Sequence, residues 1–241
     1  MELDWDGISH VTKVDPAKPL PADRGVLEGT DLVVVGGSDG VTTTNALETI
    51  QAVRDAVPST PVVQEPGHVA HVSQATLESV DALAVPAVYN GDRAHFVGDH
   101  VAIFTELGRE AATVADGGAN ALLETPILAA GYVIQHLEST AAATAGVEAA
   151  YTPAQVAGAA LATERFYGFP IFYVEYAGRY GGPEDVAAAA RVLEETTLLY
   201  GGGIDSREKA TEILSAGADA IVVGDCFHDD FDRFRETIPE P

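Results

Sequence analysis

Several short stretches of the sequence join reactive residue types to glycine. Tyr173-Val174-Glu175-Tyr176-Ala177-Gly178 sets a carboxylate between two phenols where an apolar run ends. A carboxylate so placed is either solvated at a strand end or able to accept a proton within hydrogen-bond reach. Lys13 and Asp15 stand two apart on another apolar run, so their side chains share one face and Val14 takes the other. A cation beside an acid can hold a phosphorylated ligand together with a hard metal, because Mg²⁺ commonly takes one or two protein carboxylates and completes its shell with water and phosphate. The plainer alternative is a surface ion pair worth under about 1 kcal/mol. Ser38, inside Gly36-Gly37-Ser38-Asp39-Gly40, adds a hydroxyl at a neighbouring strand end.

Gly201-Gly202-Gly203 and Gly224-Asp225 end two further apolar runs. Glycine lets a backbone approach a ligand and present its N–H groups, and the loops after the last two strands of a barrel frequently hold phosphate with the help of a short helix. Such a helix is predicted from about Asp229 to Arg235. Tight turning is the alternative use of these glycines. No Walker pattern and no Gly-x-Gly-x-x-Gly after a strand occurs, which disfavours P-loop and dinucleotide chemistry, and the absence of a Gly-x-Ser-x-Gly elbow removes support for a serine nucleophile. His68 and His71, three apart after Pro66-Gly67, are a weak zinc signal better read as polar loop or core residues.

The elements that must carry these residues are legible as runs rich in Val, Ile and Leu. Strands are predicted at His10–Asp15, Asp31–Gly37, Pro61–Glu65, Ala82–Tyr89, Gly131–His136, Ile171–Tyr176, Thr197–Gly203 and Ala220–Asp225. Several are apolar on consecutive residues, as strands covered on both faces of a parallel sheet are. Between them, Thr43 or Thr44 caps a helix carrying Leu47, Ile50, Val53 and Val57, and Pro183 with Glu184 and Asp185 opens another. Asp205 and Glu208 have capping-box spacing ahead of Ala210, Ile213 and Leu214, with Gly217 as the stop. Strand and helix alternating eight times predict a single-domain (β/α)₈ barrel over residues 1–241, with a doubly wound open sheet as the alternative.

Composition narrows the partners. Thirteen Lys and Arg against 37 Asp and Glu leave a formal charge of −24, which disfavours nucleic acid and anionic membranes. Only Lys13, Lys18 and Lys209 are lysines, a balance suited to a salt-rich cytoplasm, where screening over about 3 Å at molar salt quiets self-repulsion. A single cysteine, Cys226, rules out an internal disulfide and fits a reducing interior. No apolar run approaches transmembrane length and the amino terminus lacks a basic start, so a cytoplasmic location is expected.

Lys13-Val14-Asp15-Pro16, Gly36 to Thr42, Tyr173-Val174-Glu175-Tyr176, Tyr200 to Ile204 and Val222-Val223-Gly224, in this order, resemble the geranylgeranylglyceryl phosphate synthases of archaeal lipid synthesis. The chain is similar also to the bacterial heptaprenylglyceryl phosphate synthases. The resemblance runs from about His10 to Phe234. It implies a Mg²⁺-dependent prenyltransferase joining the 3-hydroxyl of sn-glycerol 1-phosphate to geranylgeranyl diphosphate, with dimerisation as a family habit. By position it implies that Lys13 contacts glycerol phosphate and that Asp15 and Ser38 hold Mg²⁺. The run Tyr173, Val174, Glu175, Tyr176, Ala177, Gly178 lines the glycerol phosphate, and Gly203, Gly224 and Asp225 form a phosphate cradle. Glu175 is implied as the base, with Tyr173 beside the reacting carbon. Ala177 stands where relatives often carry a hydroxyl residue, leaving Arg179 or water to replace it, and Asp225 stands where asparagine is common, so a backbone contact is expected there. Residues from Tyr89 to Leu128 are the expected walls of a prenyl groove. The rivals are a phosphate-binding barrel isomerase or lyase and a catalytically silent binder.

Overall fold

The computed structural model describes residues 5, 7–92, 98, 100–102, 104–105 and 124–239. Eight parallel strands close into a barrel in sequential order. They are β1 (His10–Val14), β2 (Leu32–Val35), β3 (Val62–Gln64), β4 (Ala82–Val88), β5 (Ile127–Ile134), β6 (Ile171–Glu175), β7 (Thr197–Gly201) and β8 (Ala220–Val223). The predicted barrel is thereby observed and its alternative, a doubly wound open sheet, excluded, since β8 pairs back onto β1 with His10 opposite Ile221. Each predicted strand is present; β5 starts four residues before the predicted Gly131, because alanines 129 and 130 carry little of the β-branched signal by which strands are read.

The described helices include α1 (Thr43–Ala56), α2 (Gln74–Leu77), α3 (Thr140–Ala145), α4 (Pro153–Leu161), α5 (Pro183–Ala190), α6 (Arg207–Ser215), α7 (Asp225–Asp229) and α8 (Phe231–Thr237). Their ends correct the sequence reading in detail. Thr42 caps α1, reciprocally with Asn45, so Thr43 and Thr44 lie inside the helix. Ser206, not Asp205, caps α6 by accepting from the Lys209 N–H, while Asp205 is ion-paired with Lys209 at 2.7 Å. The single helix expected after β8 is two, broken where Asp230 caps α8 through the Arg233 N–H.

The consecutive apolar residues divide between two cores, as the two-residue period of a strand requires. Val33, Val35, Phe172, Val174, Leu198, Tyr200, Ile221 and Val223 face the helices. Val11, Leu32, Val63, Ala130, Tyr132, Tyr173, Leu199 and Val222 fill the barrel, with Trp5 packed against them. On β1 the alternation sends Val14 into the outer core and Lys13 toward the interior, at a level where a polar site replaces the apolar filling.

His10 is buried on the outer face of β1, its ring nitrogens 3.0 Å from the hydroxyls of Thr30 and Thr237. Burial pushes its pKa down to about 4 despite the nearby Asp31. The native chain therefore keeps His10 neutral while the unfolded chain protonates it below its ordinary range. The corresponding stability, about 3 kcal/mol, is present above that range and is lost as pH falls through about 4. Urea titrations from pH 7 to 4 are expected to show this loss in the wild type and not in His10→Gln, after subtraction of what both lose.

Candidate active site

The polar site lies at the carboxyl ends of the strands, as in other barrels of this type. Two cavities meet there. One, of about 470 Å³, is edged by Gly36, Gly37, Gly201, Gly202, Gly203 and Gly224. The other, of about 700 Å³, has an apolar wall that includes Val85, Pro86, Val88, Ile134, Ala141 and Ala145. Lys13, Ser38 and Glu175 line both.

Glu175, the last residue of β6, is buried. One of its oxygens accepts the Ala177 N–H at 2.5 Å and the Tyr173 phenol supplies a second bond. Burial raises its pKa, and Glu65 adds to this, while Lys13 and the two hydrogen bonds oppose it. Tyr173 lies under the same cavity, and a Cβ at Gly201 would collide with its hydroxyl, so glycine at that register position is what admits the ring. Tyr132, directly opposite Tyr173 across the β5–β6 pair, meets it edge-on with ring centroids 4.4 Å apart.

Glu65, just past β3, went unrecognised in the sequence because nothing in Gln64-Glu65-Pro66-Gly67 distinguishes it from a solvated loop acid. In the fold it accepts Lys13 Nζ at 2.6 Å on one oxygen and the Tyr132 hydroxyl at 2.5 Å on the other. Burial alone would raise its pKa, but Lys13 and Tyr132 outweigh it and hold Glu65 below its ordinary value. For Lys13 burial works downward and is outweighed by Glu65 first, then Glu175 and Asp15, so the ammonium is retained. Lys18, the second cation of the site, is likewise unmarked in the sequence. It lines the glycine-edged cavity and donates to Asp225 at 2.7 Å. The Asp225 carboxylate, expected to repel a phosphate, is thus neutralised at that mouth.

Asp15 follows β1 and opens onto the glycine-edged cavity with Ser38 and Asp39. Its Oδ1 accepts the Ala17 N–H at 2.9 Å, and its own N–H donates to His228 Nε2 at 3.0 Å. A Cβ on Gly37 would collide with that carboxylate, so the loop after β2 closes over Asp15 only because it is glycine. A carboxylate and a hydroxyl are hard oxygen donors. No cluster of three or more acidic, His or Cys side chains suited to a metal occurs among the described residues.

Two members of the expected Tyr173–Gly178 lining do not reach the cavity. Val174 is fully buried in the outer core, and Tyr176 turns to the helix side, donating to Asp185 Oδ2 at 2.8 Å. Strand alternation is the reason: the odd-numbered residues of β6 face in. Ala177 and Gly178 do line the cavity. Ala177 sits at φ 40, a left-handed conformation costly for a residue with a Cβ, held by its N–H on Glu175 and by His136 Nδ1 bonding its carbonyl at 3.0 Å. Its contribution is a backbone N–H that positions Glu175, for which no hydroxyl is required. Arg179 is exposed and lies outside the cavity lining. Of the expected groove walls, residues 93–97, 99, 103 and 106–123 lie outside the described residues; His100, Ala102 and Thr105 line the larger cavity, and Tyr89 instead stacks on Tyr167. The rest of that wall comes from β4, β5 and α3, beyond the expected stretch.

Fold and site define a (β/α)₈ barrel enzyme with an acid, a lysine and glycine edges at its strand ends, open to both a polar and an apolar cavity. The chain belongs to the PcrB family, which matches residues 3–240. A geranylgeranylglyceryl phosphate synthase of Haloquadratum walsbyi is 36% identical, over 97% of this chain and 93% of that protein. A heptaprenylglyceryl phosphate synthase of Geobacillus thermodenitrificans is 35% identical over 95% and 90%. Among solved structures, a synthase of Thermoplasma acidophilum in complex with sn-glycerol-1-phosphate superposes with a TM-score of 0.75 at 20% identity, covering 97% of this chain and 92% of that one, and so supports the fold.

Gly203, at φ 56, has no room for a Cβ against the Tyr180 backbone nitrogen, whereas Gly158 in α4 has open space. Gly203→Ala is expected to destabilise by about 1–3 kcal/mol and to weaken binding of inorganic phosphate by calorimetry, while Gly158→Ala stabilises by about 0.5–1 kcal/mol and leaves binding unchanged.

Proposed function

We propose that this chain is a prenyltransferase that joins the 3-hydroxyl of sn-glycerol 1-phosphate to geranylgeranyl diphosphate and releases diphosphate. The observation that carries this reading is the meeting of a glycine-edged and an apolar cavity at Lys13 and Glu175. A reaction between a small phosphorylated alcohol and a long allylic diphosphate needs two such compartments with a proton acceptor at their junction. An isomerase, a lyase or a silent phosphate binder has no use for the apolar one.

In this reading the glycerol phosphate lies in the glycine-edged cavity, its phosphate near Gly203, Gly224 and Lys18 and its free hydroxyl toward Glu175. The prenyl chain occupies the apolar cavity, with the diphosphate near Ser38, while Lys13, which lines both cavities, contacts the glycerol phosphate. Asp15 and Ser38 would hold Mg²⁺, which when bound takes up charge on the departing diphosphate. The bond from the first prenyl carbon to diphosphate oxygen breaks, the glycerol oxygen bonds to that carbon, and the hydroxyl proton passes to Glu175. A raised pKa makes Glu175 the better acceptor. The Tyr173 ring, dry and close to Glu175, suits an allylic centre gaining positive charge. Local cations do what the surface of a chain with net charge −24 cannot, drawing two anionic substrates together.

The same charge supports a salt-adapted archaeal setting, a cytoplasmic enzyme and hence the geranylgeranyl substrate over the heptaprenyl one. No helix among the described residues is long and apolar enough to cross a membrane. Dimerisation is proposed from the family habit alone.

Radiolabelled glycerol 1-phosphate and geranylgeranyl diphosphate in molar KCl with Mg²⁺ are expected to give lipid-soluble label; none would overturn the reading. With C15, C20, C25 and C35 diphosphates in competition, the C20 product should dominate. Glu175→Gln should lower turnover at least tenfold with the fold retained, and near-normal turnover would remove Glu175 as the acceptor. In the wild type, activity requires ionised Glu175, so it should fall as pH drops through a value above the ordinary glutamate range. Asp15→Asn should shift the Mg²⁺ titration to higher concentration.

A further inference from the structure

Among the described residues the two cavities share Lys13 and Glu175, with Glu65 beside them, and the ammonium is committed. Among the described residues Lys13 is ion-paired with Glu65, at 2.6 Å, although Glu175 lines both of the same cavities. Glu65 is held at both oxygens, by Lys13 and by Tyr132, and of the two cavities lines the apolar one. Glu175 has hydrogen bonds but no ion pair among the described residues, feels the Lys13 charge from farther off than Glu65 does, and opens to both. A carboxylate beside an apolar channel is costly unless paired, so Glu65 serves something beyond lining it.

We propose that Glu65 is a positioning residue for the reaction, which by holding Lys13 and Tyr132 keeps the ammonium off Glu175 and leaves that carboxylate able to accept a proton. The assignment rests on the reading of Glu175 as the acceptor. Environments that drive two nearby acids apart mark which one exchanges protons. Here Glu65 is held down by Lys13 and Tyr132 against its burial, whereas burial lifts Glu175. Lys13 ends a flexible four-carbon stem, and without Glu65 its nearest buried anionic partner becomes Glu175. That exchange would stabilise the carboxylate and weaken it as a base. The same pairing aims Tyr132, whose ring edge meets Tyr173.

The groups facing Glu175 are few enough to interpret a titration. Lys13 comes from β1, Glu65 from beyond β3, Tyr132 from β5 and Tyr173 from its own strand, while Tyr200 of β7 acts from the helix side. Asp15, Lys18, Asp39, Glu138, Asp225 and His228 line the mouth of the glycine-edged cavity, and His68, His71 and His100 line the apolar one.

The test follows the Glu175 carboxyl carbon by ¹³C NMR in metal-free, glutamate-labelled full-length protein, assigned through Glu175→Gln. Wild type, Glu65→Gln and Glu65→Asp are compared, with the pH profile of kcat/KM measured on each. Glu65→Gln is expected to lower the Glu175 midpoint by at least one pH unit, a tenfold change in proton affinity, to move the acid limb of kcat/KM down by a similar amount, and to lower kcat. Glu65→Asp is expected to give a smaller shift in the same direction and to recover part of the rate, and it carries the test alone where Glu65→Gln does not fold. An unmoved midpoint in a folded variant overturns the proposal. A midpoint moved in the Glu65 variants, together with a wild type that makes no prenylated product, overturns the proposed function and leaves the charge coupling standing.

Discussion

A lysine ammonium inside a barrel dictates most of what surrounds it. Lys13 points inward because β1 alternates, and an unpaired charge there would cost several kcal/mol. Glu65 meets that demand, Tyr132 satisfies the second Glu65 oxygen, and Tyr132 then packs on Tyr173, which bonds Glu175. One partly buried charge thus orders four neighbours from three other strands or strand ends. The apolar filling of the barrel stops at this level, and the two cavities open from it.

Glycine has two uses at the strand ends. At Gly37 and Gly201 the missing Cβ leaves room for a particular group, the Asp15 carboxylate and the Tyr173 hydroxyl. At Gly203 it also permits a left-handed backbone. Ala177 takes the same region of conformational space with a Cβ, and the hydrogen bonds to Glu175 and His136 hold it there. Strain at one backbone position and the orientation of the key carboxylate are therefore one feature. In a chain with 37 acids and 13 bases, the site holds two of the three lysines. Positive charge is concentrated where anions would bind, and the surface acids are left to salt.

The strands were legible because a parallel barrel covers both faces of each one, which writes consecutive branched apolar residues into the chain. Helix caps were less so: Thr42, Thr43 and Thr44 are chemically interchangeable as caps, and the strand-to-helix loop length selects among them. The lining of the site was legible for Lys13, Asp15 and Glu175, whose neighbours in sequence form marked motifs. Val174 and Tyr176 belong to the same motif but face the helices, since a shared motif does not override strand alternation. Glu65 and Lys18 have no motif of their own. Their importance arises from partners 52 and 207 positions away.

By itself the sequence determined the alternation of strands and helices, the glycine-marked strand ends and the set of residues able to do chemistry, because these depend on local pattern and residue type. Only the tertiary structure decided that β8 closes onto β1, that a polar and an apolar cavity meet at Glu175, and which of two carboxylates takes the single interior lysine. Those outcomes depend on distances across the barrel, and residues separated by long stretches of chain acquire a distance only when the ring of strands is closed.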